Sequence, residues 1–163
     1  YNTRARRSKQ NAKDIHKVII WYKQHINVPL EVDVFGMATH KPAQTIGQNL
    51  NIFAKTVDFI CPMVYPSHYF PYDYHGRHPY RTIMKSMRLL DKQFGDQHGH
   101  VKIIPWLEAY NFRRRMSRSA RMAYIWDQIR AAKDSGSDGY YIWSAKNQYR
   151  ILFAILKSKG KPW

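Results

Sequence analysis

The chain holds a single cysteine, Cys61, so no internal disulfide can staple it. That thiol lies in the run Phe-Ile-Cys-Pro-Met over 59–63. No basic residue neighbours it, so a buried structural thiol is expected there rather than a reactive one. No run of about eighteen apolar residues occurs, which leaves no candidate membrane span. No GxGxxG or GxxxxGK[ST] follows any apolar run, which argues against a phosphate-loop nucleotide binder. Neither a GxSxG elbow nor a paired-cysteine zinc pattern is present. The histidines of His98-Gly99-His100 and of 75–78 fall in expected loops without ligands at metal spacing, so no metal and no cofactor is expected.

Acidic residues are also scarce. Eleven Asp and Glu face 27 Lys and Arg, a net charge of +16. Such an excess attracts polyanions: nucleic acid, anionic lipid surfaces or acidic polysaccharide. With 163 residues, 44% of them hydrophobic, the chain can bury the core of one domain. Its first residue is Tyr1. It is therefore expected to be a processed product or a portion of something longer.

The periodicity alternates. Ile15, Val18, Ile19, Tyr22 and Ile26 predict a helix over 11–26 with Asn11 as its N-cap, after a basic segment at 1–10 carrying Arg4, Arg6, Arg7 and Lys9. Strands are expected at 30–35, closed by Gly36, and at 57–64, 101–107 and 140–143. Helices are expected at 46–55, from Pro79 through Phe94, at 119–134 and at 149–157. One α/β domain over 11–159 with a short tail at 160–163 follows. Four strand–helix units with parallel strands make half of a (β/α)₈ barrel. An open flavodoxin-type sheet is the rival architecture.

Certain words in the sequence are more specific than its periodicity. The stretch 57–69, Val-Asp-Phe-Ile-Cys-Pro-Met-Val-Tyr-Pro-Ser-His-Tyr, resembles the signature of a bacterial family of glycoside hydrolase domains in the TIM-barrel glycosidase superfamily. Asp33-Val34-Phe35-Gly36, Ile46-Gly47-Gln48, Pro79-Tyr80, Pro105-Trp106-Leu107, and Gly139 to Trp143 with Asn147 match in the same order. The similarity runs from about residue 11 to about 155 and implies strands five to eight of a barrel. It also implies an extracytoplasmic setting, in the periplasm, in the envelope or as a secreted protein. The preceding half, with a strand-four motif and its carboxylate, is not in this sequence. The resemblance further implies that a missing N-terminal half-barrel, or a second copy, completes the site.

Barrel sites sit at the carboxyl ends of the strands, and glycoside hydrolysis uses a pair of carboxylates there. In 30–35, alternation sends Glu31, Asp33 and Phe35 to one face, inward, with Asp33 nearer the mouth. In the third strand Lys102, Ile104, Trp106 and Glu108 share a face, and Glu108 comes last. The resemblance implies that a strand-seven glutamate can act as nucleophile, although this chain has Glu108-Ala109 where the family more often has Gln-Asp. Asp33 and Glu108 are the candidate catalytic residues, against a structural salt bridge for the first and a merely polar loop residue for the second.

Glu31, Tyr65, His68, Tyr69, Trp106, Trp143, Asn147 and Arg113 are candidate substrate-binding residues. Hydroxyls and imidazoles bond sugar hydroxyls, and aromatic faces pack on sugar C–H groups. The run Arg113-Arg114-Arg115-Met116-Ser117-Arg118 follows the third strand and suits an anionic glycan, a solvated basic loop being the alternative. Three functions remain in contention: a glycoside hydrolase working through acid/base carboxylates, a non-catalytic glycan-binding barrel of the cell envelope, and a basic nucleic-acid-binding domain. The last has only charge in its favour, since no nucleic-acid motif occurs.

Overall fold

The computed structural model describes residues 3–43, 46–95 and 100–160. Helix α1 (Thr3–His25) leads into strand β1 (Glu31–Phe35), a 3-10 turn at Gly36–Thr39 and the short α2 (Leu50–Phe53). Then come β2 (Phe59–Met63), a second 3-10 turn at Pro66–His68, α3 (Tyr72–Arg77) and α4 (Pro79–Phe94). The remainder is β3 (Lys102–Ile103), β4 (Trp106–Glu108), α5 (Arg118–Asp134), β5 (Tyr141–Trp143) and α6 (Arg150–Lys159).

Every ladder is parallel, in the order β1-β2-β4-β5, with β3 pairing β2 beside β4. The register aligns Asp33 with Cys61, Met63 with Trp106, and Glu108 with Trp143. Among the described residues β1 and β5 each pair along one edge only. The molecule is thus an α/β fold of alternating strands and helices, laid out as one half of a (β/α)₈ barrel. The expected third strand is divided because Pro105 has no N–H for the ladder. The chain still holds its place there, since Ile104 N–H donates to the Ile60 carbonyl and Tyr141 N–H to that of Pro105.

One face of the sheet is dry and the other open. Val34, Ile60 and Leu107 are fully buried beneath the helices, where they meet Ile83, Met87 and Leu90 of α4 and Ile125 and Ile129 of α5. Burying each such side chain contributes roughly 1.5–3 kcal/mol, which makes this layer the main source of stability. Opposite it, Glu31, Asp33 and Phe35 are exposed. Period-two alternation in β1 therefore separates helix-facing Val32 and Val34 from a polar inner face, as the pattern predicts.

The sheet curls strongly toward that inner face. Neighbouring strands lie about 4.8 Å apart, so β1 and β5 would stand about 14 Å apart in a flat sheet. Yet the Tyr141 hydroxyl of β5 donates to Glu31 Oε2 of β1 at 3.0 Å. Two side chains standing upright on a flat sheet could not meet over that distance. Only an arc with its inner face concave brings them together.

Several boundaries differ from the sequence expectation, each for a local reason. Helix α1 begins at Thr3, so the 1–10 segment is largely helical backbone and Asn11 lies inside the helix rather than capping it. Arg and Lys are good helix formers even without an apolar stripe. The helix expected over 46–55 shrinks to Leu50–Phe53, because Gln48 is taken up in an antiparallel bridge with Ala43. Residues 72–77 are helical rather than loop, and His75 of α3 is buried against Thr82 at 2.9 Å. His98 and Gly99 lie outside the described residues. Gly36 is required by close packing: a Cβ there would stand 2.4 Å from the Met63 carbonyl oxygen and 2.2 Å from the Tyr69 hydroxyl.

Candidate active site

Glu108 ends β4, Trp143 ends β5 and the Pro66–His68 turn follows β2, while Asp33 midway along β1 and Trp106 at the start of β4 lie one layer below. Trp106 Nε1–H donates to Asp33 Oδ1 at 2.7 Å, reaching over β2 to do so. That bond fixes an exposed carboxylate in place on the inner face of the sheet. One layer deeper, Glu31 accepts from Tyr141, so two transverse hydrogen bonds lace the concave face. Trp106 packs on Tyr141 at 4.6 Å between ring centroids and meets Trp143 edge-on at 6.3 Å. Trp143 itself is 45% exposed, which leaves much of its indole open at the rim.

Beyond the end of β2 stands an aromatic wall. The Tyr65 ring lies 5.2 Å from His68 and 6.3 Å from Tyr110, and His68 Nε2 is 3.3 Å from the Tyr110 hydroxyl. Burial raises the Tyr65 hydroxyl above its usual range, with Tyr110, Asp33 and Glu108 adding to the effect. Burial, with Glu108, pushes Tyr110 up to about 12. Burial and then the Arg113 charge hold His68 below the usual imidazole value. At neutral pH the wall is therefore two phenols and a neutral imidazole, all able to exchange hydrogen bonds with hydroxyl groups.

Glu108 occupies a different environment. It is fully buried, and three donors converge on its carboxylate. The Ser67 amide donates to Oε1 at 2.8 Å, the Ser67 hydroxyl to Oε2 at 2.7 Å, and the Tyr124 hydroxyl to Oε1. Its backbone N–H donates to Gln128 Oε1, while Gln128 Nε2 donates back to the Glu108 carbonyl, both at 3.0 Å. The amide of Gln128 thereby replaces a strand partner where β2 has turned away into 66–68. Burial outweighs the three hydrogen bonds and pushes the carboxyl up to about 7. An acid so placed can hold a proton near neutrality, but its oxygens are occupied and it has no open face. Geometrically Glu108 ties the Pro66–His68 turn, and with it Tyr65 and His68, to β4 and α5.

The other candidates scatter. Tyr69 points away from the mouth into the packing between the Gly36–Thr39 turn and α4, where it stacks on His40 at 5.5 Å and accepts from the Ser86 hydroxyl. Alternation does not survive a 3-10 turn, so its neighbour His68 faces the rim and Tyr69 does not. Asn147 is exposed after β5 in a left-handed conformation, φ 51°, its N–H bonded to the Ser144 carbonyl. Arg113 lies on the β4–α5 loop against the Tyr72 and Phe112 rings.

Cys61 is buried, as expected, and burial followed by the charges of Glu31 and Asp33 pushes its thiol up to about 12. Cys61, Glu31 and Asp33 hold their potential ligand atoms within 4.8 Å of one another. The two acids also accept hydrogen bonds from Tyr141 and Trp106.

Sequence reading missed Tyr110, Tyr141, Ser67, Tyr124 and Gln128. Two of these had a usable signal: Tyr141 shares a strand face with Trp143, and Tyr110 follows Glu108 at the next alternate position. Ser67 and Tyr124 had none, because their role depends on where Glu108 ends up.

No curated protein and no solved structure gives a significant match to the chain. A family model described as "Putative glycosyl hydrolase domain" matches residues 2–149, a span that includes all five strands and every rim residue named above. The chain belongs to this family of glycosyl hydrolase domains.

Proposed function

We propose that the concave rim from Asp33 to Trp143 is the sugar-binding and catalytic surface of a glycoside hydrolase, with Asp33 as a reacting carboxylate. The observation that carries this reading is the Asp33 carboxylate itself. It is exposed on the inner face midway along β1, oriented by the Trp106 indole, with the Tyr65–His68–Tyr110 wall beyond the end of the neighbouring β2. Glycoside hydrolysis needs carboxylates flanking the scissile bond. Glu108, enclosed by its three donors, is a positioning residue that holds the wall, and Glu31 lines the floor. The partner carboxylate comes from a further set of strands, supplied by an upstream half-barrel or a second copy.

Support for such closure lies at both ends of the arc. Among the described residues β1 and β5 each have an unpaired edge, Val18 and Trp21 of α1 and Phe35 of β1 are each more than half exposed, and Phe153 of α6 is 65% exposed. Unpaired edges and exposed apolar side chains of this kind are ordinarily covered.

A non-catalytic glycan-binding barrel is the second reading, favoured by the same aromatic rim, which needs no charged Asp33 to hold a sugar. Both readings require Trp143 to contact the ligand. Trp143→Ala is expected to weaken oligosaccharide binding by between about three- and tenfold, the scale of one lost aromatic contact of roughly 0.5–1.5 kcal/mol. Phe153→Ala, at a still more exposed ring on the helical side, is expected to leave it unchanged. Calorimetric titration of the two variants makes the comparison, and equal losses in both would count against the rim as the site.

A further inference from the structure

We infer that the rim between β4 and α5 selects an acidic glycan, with Arg113 as the fork that takes the sugar carboxylate. This rests on the reading of the rim as a sugar surface and adds the chemical class of its ligand.

The Arg113 guanidinium sits 4.0 Å from the Tyr72 ring centroid and 4.6 Å from that of Phe112. Two aromatic rings at this range restrain the guanidinium by cation–π contact, and no hydrogen bond among those of the described residues takes up its N–H groups. That is the geometry that receives a carboxylate on two parallel hydrogen bonds.

The loop is held from below. Asn111 is buried, and its Oδ1 accepts from the Arg113 amide at 3.0 Å and from the Arg114 amide at 3.1 Å. The arginine is therefore presented by a fixed turn rather than a free loop.

Its charge is uncompensated. Among the described residues no carboxylate pairs with Arg113, Arg115 or Arg118. Asp73, on the neighbouring α3, is engaged by Arg77 at 2.9 Å. The cradle is also accessible, with Phe112 58% and Tyr72 40% exposed.

The Arg113 site joins the candidate site through contacts. Phe112 meets His68 edge-on at 5.0 Å, His68 meets Tyr65 at 5.2 Å, and His68 Nε2 lies 3.3 Å from the Tyr110 hydroxyl. A ligand lying along this ridge would meet open aromatic faces, then a cationic fork at one end and the Glu31–Asp33 carboxylates at the other. That charge order suits a sugar chain whose carboxylate falls at Arg113. A nucleic acid would carry a phosphate at each unit and bring several of them against the acids.

The test uses the chain itself, titrated at low salt with an oligogalacturonate of about six sugars and with the fully methyl-esterified form of the same oligomer. The acidic form is expected to bind at least about tenfold more tightly, as one charge-assisted bidentate pair implies. Arg113→Gln should bring the acidic form down to the level of the ester, and Arg113→Lys should restore only part of the difference. Arg130→Gln, which removes the same charge from the outer surface of α5, should change nothing.

Equal affinity for the two forms, or no binding of the acidic form, overturns the inference. So does an equal loss in Arg113→Gln and Arg130→Gln, which would mean attraction by net charge alone. A single-stranded oligonucleotide that binds at least as tightly, with the same dependence on Arg113, would assign the rim to nucleic acid instead. If both forms bind equally and Trp143→Ala weakens both, the sugar surface stands and only its acidic preference fails. If Trp143→Ala affects neither, the sugar surface is itself in error.

Discussion

Asp33→Asn is expected to lower the glycosidase kcat/KM of the completed barrel by about 10²–10⁴-fold, the contribution of one positioned acid/base group. The substitution isolates the charge. Asparagine keeps an oxygen at Oδ1 that can accept from Trp106 Nε1, so the 2.7 Å bond and the rotamer it fixes are retained. Because Asp33 is exposed, its stability cost should stay within about 0.5 kcal/mol. Sugar binding should also persist, since the wall of Tyr65, His68 and Tyr110 is untouched. Steady-state kinetics and thermal unfolding of the same preparation separate these outcomes. Activity within about threefold of the parent would remove Asp33 from the chemistry and favour the non-catalytic glycan-binding barrel.

Glu108→Ala should instead act on the fold. It leaves the Ser67 amide, the Ser67 hydroxyl and the Tyr124 hydroxyl buried without their acceptor. Each orphaned donor costs roughly 1–3 kcal/mol, and with partial relaxation we expect a loss of about 3–5 kcal/mol. That is a large share of the roughly 5–15 kcal/mol that holds a typical domain together.

The same site sets a pH dependence. Folding raises the Glu108 carboxyl from 4.5 to about 7, chiefly through burial. Between these values the native state keeps a proton that the unfolded state has released, so stability falls as pH rises through this window and levels off above it. The contribution is on the order of 3 kcal/mol. Urea unfolding at pH 5 and pH 8 should show the parent losing stability relative to Glu108→Gln over this range, while His16, His40, His68 and His75, whose burial lowers their pKa values, contribute the opposite trend to both proteins. A parent whose stability rises over that range, with Glu108→Gln behaving identically, would contradict the burial account.

The features that could be read from the sequence were those governed by local periodicity. Alternation in β1 was enough to send Glu31 and Asp33 inward and Val34 outward, and Pro79 marked the start of α4. The parallel order followed from strands and helices taking turns. What could not be read depended on distant partners. Glu108 looks like a rim acid by alternation, and only the approach of Ser67, 41 residues earlier, and of Tyr124 from α5 turns it into a buried clamp. Tyr69 belongs to the same motif as Tyr65, yet the 3-10 turn rotates it against Gly36 and Ser86. Helix α3 lacks an apolar stripe, and its six residues are held by packing of His75 rather than by propensity.

The indole N–H resonances give the most direct view of the rim. In an ¹⁵N-edited NMR titration with a panel of acidic and neutral oligosaccharides, the account predicts movement of Trp106, whose N–H is shared with Asp33, and of Trp143. Trp21 on α1 and Trp126 on α5 should stay still. Movement confined to Trp21 or Trp126, or no movement of Trp106 and Trp143 with any member of the panel, would contradict it.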